Sequence, residues 1–128
     1  MVAAILAGTL AMLVLSWLPL LGPLLAGFIA GLAAQGGGSK GAAAGTISGA
    51  LAGLILGGLI ALLATALGEL LRQPFPPHSW DWDLPVRIHA HIAGGLLVLG
   101  HCLYFSLLGA LGGWIGGTLV RRRPARTG

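Results

Sequence analysis

Glu69, Arg72, Arg87, His89, His91 and His101 are the ionisable side chains that this 128-residue sequence places beside or inside long apolar stretches. A charge in hydrocarbon is costly, so each such group is a candidate for function or for an ion pair that neutralises it. Glu69 lies about one turn before the end of one apolar stretch, and His89 about one turn into the next. If those stretches form an antiparallel hairpin, Glu69, Arg72, Arg87 and His89 reach similar heights. They are then expected to form an ion-paired cluster that closes the hairpin; alternatively Glu69, His89, His91 and His101 line a polar path together with the first apolar stretch.

His91 and His101 are ten residues apart on one predicted helix, which turns them about 80° from each other. One helix therefore cannot aim both at a single metal or haem, and bis-histidine haem ligation would need a second copy of the chain. His101, beside Cys102 and three residues before Tyr104, is expected to be a hydrogen-bonded interior residue. Cys102 is the single cysteine, which excludes an intrachain disulfide and a CxxC metal motif and leaves a packing role.

In His-Ser-Trp-Asp-Trp-Asp, the side chains of His78, Asp81 and Asp83 offer nitrogen and oxygen ligands of the kind zinc or another divalent ion takes. Solvated loop polarity and a cap for the next helix explain the same residues, and no cofactor is expected. The sequence has no Ser/His/Asp constellation, no phosphate-binding loop and no paired carboxylates in an apolar stretch, so no enzymatic activity is expected.

The elements that must position these groups are apolar helices. Hydrophobic residues make up 56% of the chain and charged residues 8%, far below the roughly 25% charged content of a soluble domain. Mean hydropathy is +0.94. The expected fold is all-α, a single integral membrane domain over residues 1–128 with three long transmembrane helices. These are read at about residues 2–34, 41–71 and 86–120, with an interfacial loop over 73–85 and a basic tail over 121–128. Nothing basic precedes Lys40, so the first stretch reads as a retained helix and not as a signal peptide. As a straight helix it would run about 49 Å, against a hydrocarbon core of roughly 30 Å. Pro19 and Pro23 interrupt it, and a kink is expected between Trp17 and Gly22.

Gln35 to Lys40 reads Gln-Gly-Gly-Gly-Ser-Lys, a connector that reverses the chain. The proline-rich segment after Gln73 cannot span, and Trp80 and Trp82 are expected to hold it at headgroup level. Lys40 and the arginines 121, 122, 123 and 126 fall on one side of the membrane, whereas Arg72 and Arg87 fall on the other with all three acids, Glu69, Asp81 and Asp83. The positive-inside rule puts the first group in the cytoplasm. The chain is thus expected to be a multi-pass cell-membrane protein with its N-terminus outside and C-terminus inside. The basic tail is read as an anchor, with no nucleic-acid partner.

Gly41, Gly45, Gly49, Gly53 and Gly57 recur every fourth residue. Lipid gives helices little hydrophobic reason to associate, so small residues that let two backbones approach are the packing signal. Against a period of 3.6 the stripe spirals by about 40° per repeat. Matching small faces occur at Gly27 and Gly31, and at Gly109, Gly113 and Gly117 with Gly112 and Gly116 beside them. The half-helix carrying Gly27 and Gly31 is expected to pair with the 41–57 stripe, to which a short loop joins it. Over residues 1–68, the run Pro-Leu-Leu-Gly-Pro-Leu-Leu-Ala-Gly-Phe-Ile-Ala-Gly and the following Gly-Ala-Ala-Ala-Gly-Thr-Ile-Ser-Gly-Ala-Leu-Ala-Gly resemble uncharacterised small glycine-zipper membrane proteins common in archaea. That resemblance carries no functional residues.

The expected role is a structural or assembly component, a homo-oligomer or a subunit of a membrane complex. The alternatives are a small channel or transporter subunit and a haem-binding redox subunit.

Overall fold

The computed structural model describes residues 1–72 and 83–121, and their side chains except those of residues 71, 72, 83–87 and 121. The described chain is all-helical: α1 (Val2–Leu15), α2 (Leu21–Ala34), α3 (Gly38–Arg72) and α4 (Asp83–Arg121). The long first helix expected over 2–34 is therefore two helices, not one with a kink. Pro19 disfavours helical backbone at Leu18 before it, and Pro23 falls in the first turn of α2, where no amide donor is needed. Gly22 lets the chain double back tightly, because any side chain there would overlap the Leu15 carbonyl.

The reversal from Ser16 to Leu20 is held by a small set of hydrogen bonds. Leu18 N donates to Leu15 O at 2.9 Å and Gly22 N to Leu18 O at 2.9 Å. Ser16 Oγ donates to Leu13 O at 2.8 Å. The Tyr104 hydroxyl of α4 donates to the Pro19 carbonyl.

Contacts fix the directions of the helices. Met12 packs with Ala26 and Ala52, and Ala4 with Ala30 and Ala44, so α1 runs antiparallel to α2 and parallel to α3. On α3, Gly41 faces Gly113 and Gly117, Gly49 faces Phe105, and Gly57 faces Val98, so α3 and α4 form an antiparallel hairpin. Met1, Gly38 and Arg121 consequently lie at one end of the bundle. A single first span would have put Met1 at the opposite end.

The α1–α2 hairpin covers only half of the α3–α4 hairpin. At 1.5 Å per residue, 14-residue helices reach about 21 Å, against about 52 Å and 58 Å for the 35 and 39 residues of α3 and α4. Within α3 and α4, Gly38–Leu70 and Ile88–Val120 are long and apolar enough to cross a membrane. Their large apolar side chains point outward, as at Leu62 (66% exposed) and Leu96 (64%), which is the wrong way round for the core helices of a water-soluble protein.

Two boundaries differ from the sequence reading. Helix α3 starts at Gly38 because the chain turns at Gln35 (φ 48°) and Gly37 (φ 83°) and is helical immediately afterwards. Helix α4 starts at Asp83, inside the expected loop, with Pro85 in its first turn, where a missing amide costs nothing. The remainder of that loop, with Trp80 and Trp82, lies outside the described residues.

Candidate functional site

The half of the bundle that contains α1 and α2 is closed by glycine. A Cβ added at Gly53 would lie 2.6 Å from Cys102 Cα, and one at Gly57 2.9 Å from Val98 Cα. At Gly45 and Gly49 it would overlap the carbonyls of Gly109 and Phe105, and at Gly41 that of Gly113. All five glycines of the stripe therefore lie against α4. Gly27 and Gly31 also lie against α4, at Gly109 and Gly113, and α2 packs more extensively on α4 than on α3. The expected pairing of α2 with the α3 stripe is corrected by that arrangement. The short connector makes α2 and α3 sequence neighbours, but α4 occupies the space between their glycine faces. Gly109 meets Gly27 and Gly45, Gly113 meets Gly31 and Gly41, and Gly112, Gly116 and Gly117 close on Leu24, Phe28 and Gly37.

Ser48, a residue the sequence reading passed over, is the polar side chain at the centre of this base. It is fully buried, with its hydroxyl 2.8 Å from Ala44 O and 3.0 Å from Ile5 O, so one proton is shared between its own helix and α1. Gly8 makes room for it, since a Cβ there would sit 2.5 Å from Ser48 Oγ. A lone serine within the glycine stripe was the available signal, but only the placement of α1 gives it a partner.

Above Gly57 the close packing ends abruptly. Nothing lies within 4 Å of a Cβ added at Gly58, Gly68 or Gly95, and at Gly94 only Ala61 Cβ at 3.7 Å. The helices separate there around a cleft of about 860 Å³. Small residues form most of its walls, among them Gly58, Ala61, Ala64 and Gly68 on α3 and Ala93 and Gly94 on α4. Thr65, Glu69 and His91 are its polar members. The Thr65 hydroxyl bonds back to Ala61 O at 3.1 Å and Leu62 O at 2.8 Å, and Glu69 and His91 are the ionisable members of the lining.

Of the expected polar cluster, the structure brings Glu69 and His91 to this one cleft, with His89 exposed two residues earlier on α4. Arg72 and Arg87 belong to α3 and α4, but their side chains lie outside the description. His101 belongs elsewhere. It is about 15 Å along the helix from His91, half-buried, with Nδ1 2.9 Å from Leu97 O and its ring stacked 6.2 Å from that of Phe105. Cys102 is half-buried too, its Sγ 3.6 Å from Ala50 O on α3. Among the described residues, no three His, Cys, Asp or Glu side chains gather to hold a metal. His78 and Asp81 lie outside the described residues, as does the side chain of Asp83.

A family model described as a family of unknown function (DUF5518) matches residues 2–119. No curated protein and no solved structure matches the chain.

Proposed function

The chain belongs to that family of unknown function, and since the family brings no activity with it, we propose a role from the packing: an assembly subunit of the cell membrane that pairs with a second copy of itself through the cleft above Gly57. The observation that carries this reading is the division of the glycines. Those of the base are consumed inside the chain, in an intrachain form of the glycine zipper, whereas Gly58, Gly68, Gly94 and Gly95 line or border an unfilled cleft. Small residues let helices approach closely in lipid, and the four described helices leave none of their own to fill that space. Glu69 and His91 give the interface polar contacts.

In this reading α3 and α4 span the bilayer with Lys40 and the C-terminal arginines in the cytoplasm, following the excess of positive charge at that end. Helices of about 21 Å fall short of a roughly 30 Å core, so α1 and α2 form a re-entrant hairpin and Met1 is also cytoplasmic. The closed base weighs against a polar path through one chain. The separation of His91 from His101 weighs against haem held within one chain.

The test is cysteine cross-linking in native membranes. In a Cys102→Ala background, Ala64→Cys or Ala93→Cys is expected to give an oxidised dimer, and Gly68→Leu, which fills the cleft, is expected to abolish it while helical content is retained. A monomer at all concentrations in bilayers, or a dimer indifferent to Gly68→Leu, would overturn the reading.

A further inference from the structure

Charge is divided unevenly between the two ends of the molecule: one carries three acids with Arg72 and Arg87, and the other carries only cations. The three acids Glu69, Asp81 and Asp83 belong to the end of α3, the connecting segment and the start of α4. The amino terminus and Lys40 belong to the other end, and the arginines 121, 122, 123 and 126 complete or follow α4 there. At this basic end a second groove, of about 710 Å³, opens between the last turns of α2 and α4, walled by Phe28, Leu32, Leu119 and Val120 and rimmed by Gln35.

The groove has a definite cause in the sequence. Gly112 and Gly116 press α4 onto the backbone of Leu24, Phe28 and Leu32. One turn later α4 presents Leu119 and Val120, so the helices part. Gln35 then ends α2 in a left-handed conformation (φ 48°, ψ 32°) and turns the chain away. Lys40 folds back over that turn, its Cγ 2.9 Å from the position of a Cβ on Gly36. Trp114 sits against Gly38, its Nε1 2.9 Å from a Cβ placed there, and is 56% exposed. An exposed indole of this kind marks headgroup level, the same level as Gln35 and Lys40.

We propose that the α2–α4 groove holds an acyl chain of an anionic phospholipid, with the lipid phosphate at the level of Gln35 and Lys40. Apolar walls at the end of the bundle that carries the amino terminus, Lys40 and Arg121 fit an amphiphile with an anionic head, and each cation near the surface strengthens that preference. The inference rests on the membrane placement given above, and not on pairing through the cleft.

The test uses the full chain in nanodiscs of phosphatidylcholine and phosphatidylglycerol mixed in equal parts, with retained lipid counted by native mass spectrometry after gentle extraction. The wild type is expected to retain phosphatidylglycerol in about tenfold excess over phosphatidylcholine. Leu119→Trp, at an exposed site where an indole fills the groove without disturbing the base, is expected to lose the retained lipid. Replacing Lys40 and arginines 121–123 by glutamine is expected to remove the preference and leave occupancy by either lipid. Equal retention of both lipids by the wild type, or unchanged retention by Leu119→Trp, would overturn the proposal. Failure of the chain to insert into the nanodisc would instead overturn the membrane reading on which it stands.

Discussion

Gly45 and Gly109 meet so closely that a methyl group on either would overlap the carbonyl of the other. Neither position can accept a side chain unless α3 and α4 separate, and Gly109 is held from a second side by Gly27. The base is thus a place where three backbones touch.

Overpacking a core costs typically about 1–3 kcal/mol, and here the obstacle is backbone, which cannot rotate away. Gly45→Val is expected to destabilise the fold by at least about 3 kcal/mol, read as a lowered midpoint of unfolding in mixed micelles. A midpoint within error of wild type would mean that α3 and α4 do not pack at this distance.

The adjacent pair Gly57 and Gly58 offers a sharper comparison, since both are helical and only the first faces α4. Gly57→Ala should lower stability, whereas Gly58→Ala should leave it unchanged or raise it by up to about 1 kcal/mol, the helix-propensity difference. The same unfolding measurement decides, and equal effects at the two positions would count against the packing boundary.

Tyr104→Phe removes the hydroxyl that bonds to Pro19 O and leaves the ring. The expected loss is about 1 kcal/mol, accompanied by faster hydrogen exchange in residues 16–22 and no change around Gly45. Exchange that is unchanged throughout would show that the turn does not depend on Tyr104.

Ser48→Ala should cost about 1 kcal/mol for the lost hydrogen bond, and Ser48→Val more, because Gly8 and Ile5 leave no room for a branched side chain. Comparing the two by thermal unfolding separates hydrogen bonding from volume. A valine variant as stable as alanine would argue against close contact between α1 and α3.

A cysteine placed at Val2 and one placed at Lys40, each in a Cys102→Ala background, should react with a membrane-impermeant thiol reagent from the same side of the bilayer. Labelling from opposite sides would restore a first segment that crosses the membrane once.

Much of the helical architecture was legible because its causes are local. The apolar runs, the prolines at 19 and 23, and the glycines spaced by four each state their own consequence. What the first 34 residues do was not legible. A proline-containing apolar stretch reads alike whether its halves continue or reverse, and the choice depends on Gly22 closing against Leu15 and on Tyr104, 85 residues from Pro19, holding the turn. The partner of Gly27 and Gly31 was hidden for the same reason, because sequence adjacency favoured α3 while the glycines that fit lie on α4. In the candidate site, the shared height of Glu69 and the start of α4 followed from the hairpin, but the cleft did not. Gly58, Gly68 and Gly95 differ from Gly57 only in having no neighbour.

The short hairpin of α1 and α2 also bears on how the protein is made. Its glycine faces fit α4, which a ribosome makes after α2 and α3, so when α2 is complete, Gly27 and Gly31 have nothing to close on. The glycine faces of the first 34 residues therefore stay without a seat until Gly109 and Gly113 arrive. A chain truncated after α3 would retain the hairpin's sequence yet lack its seat, which makes the last helix the step that completes the first two.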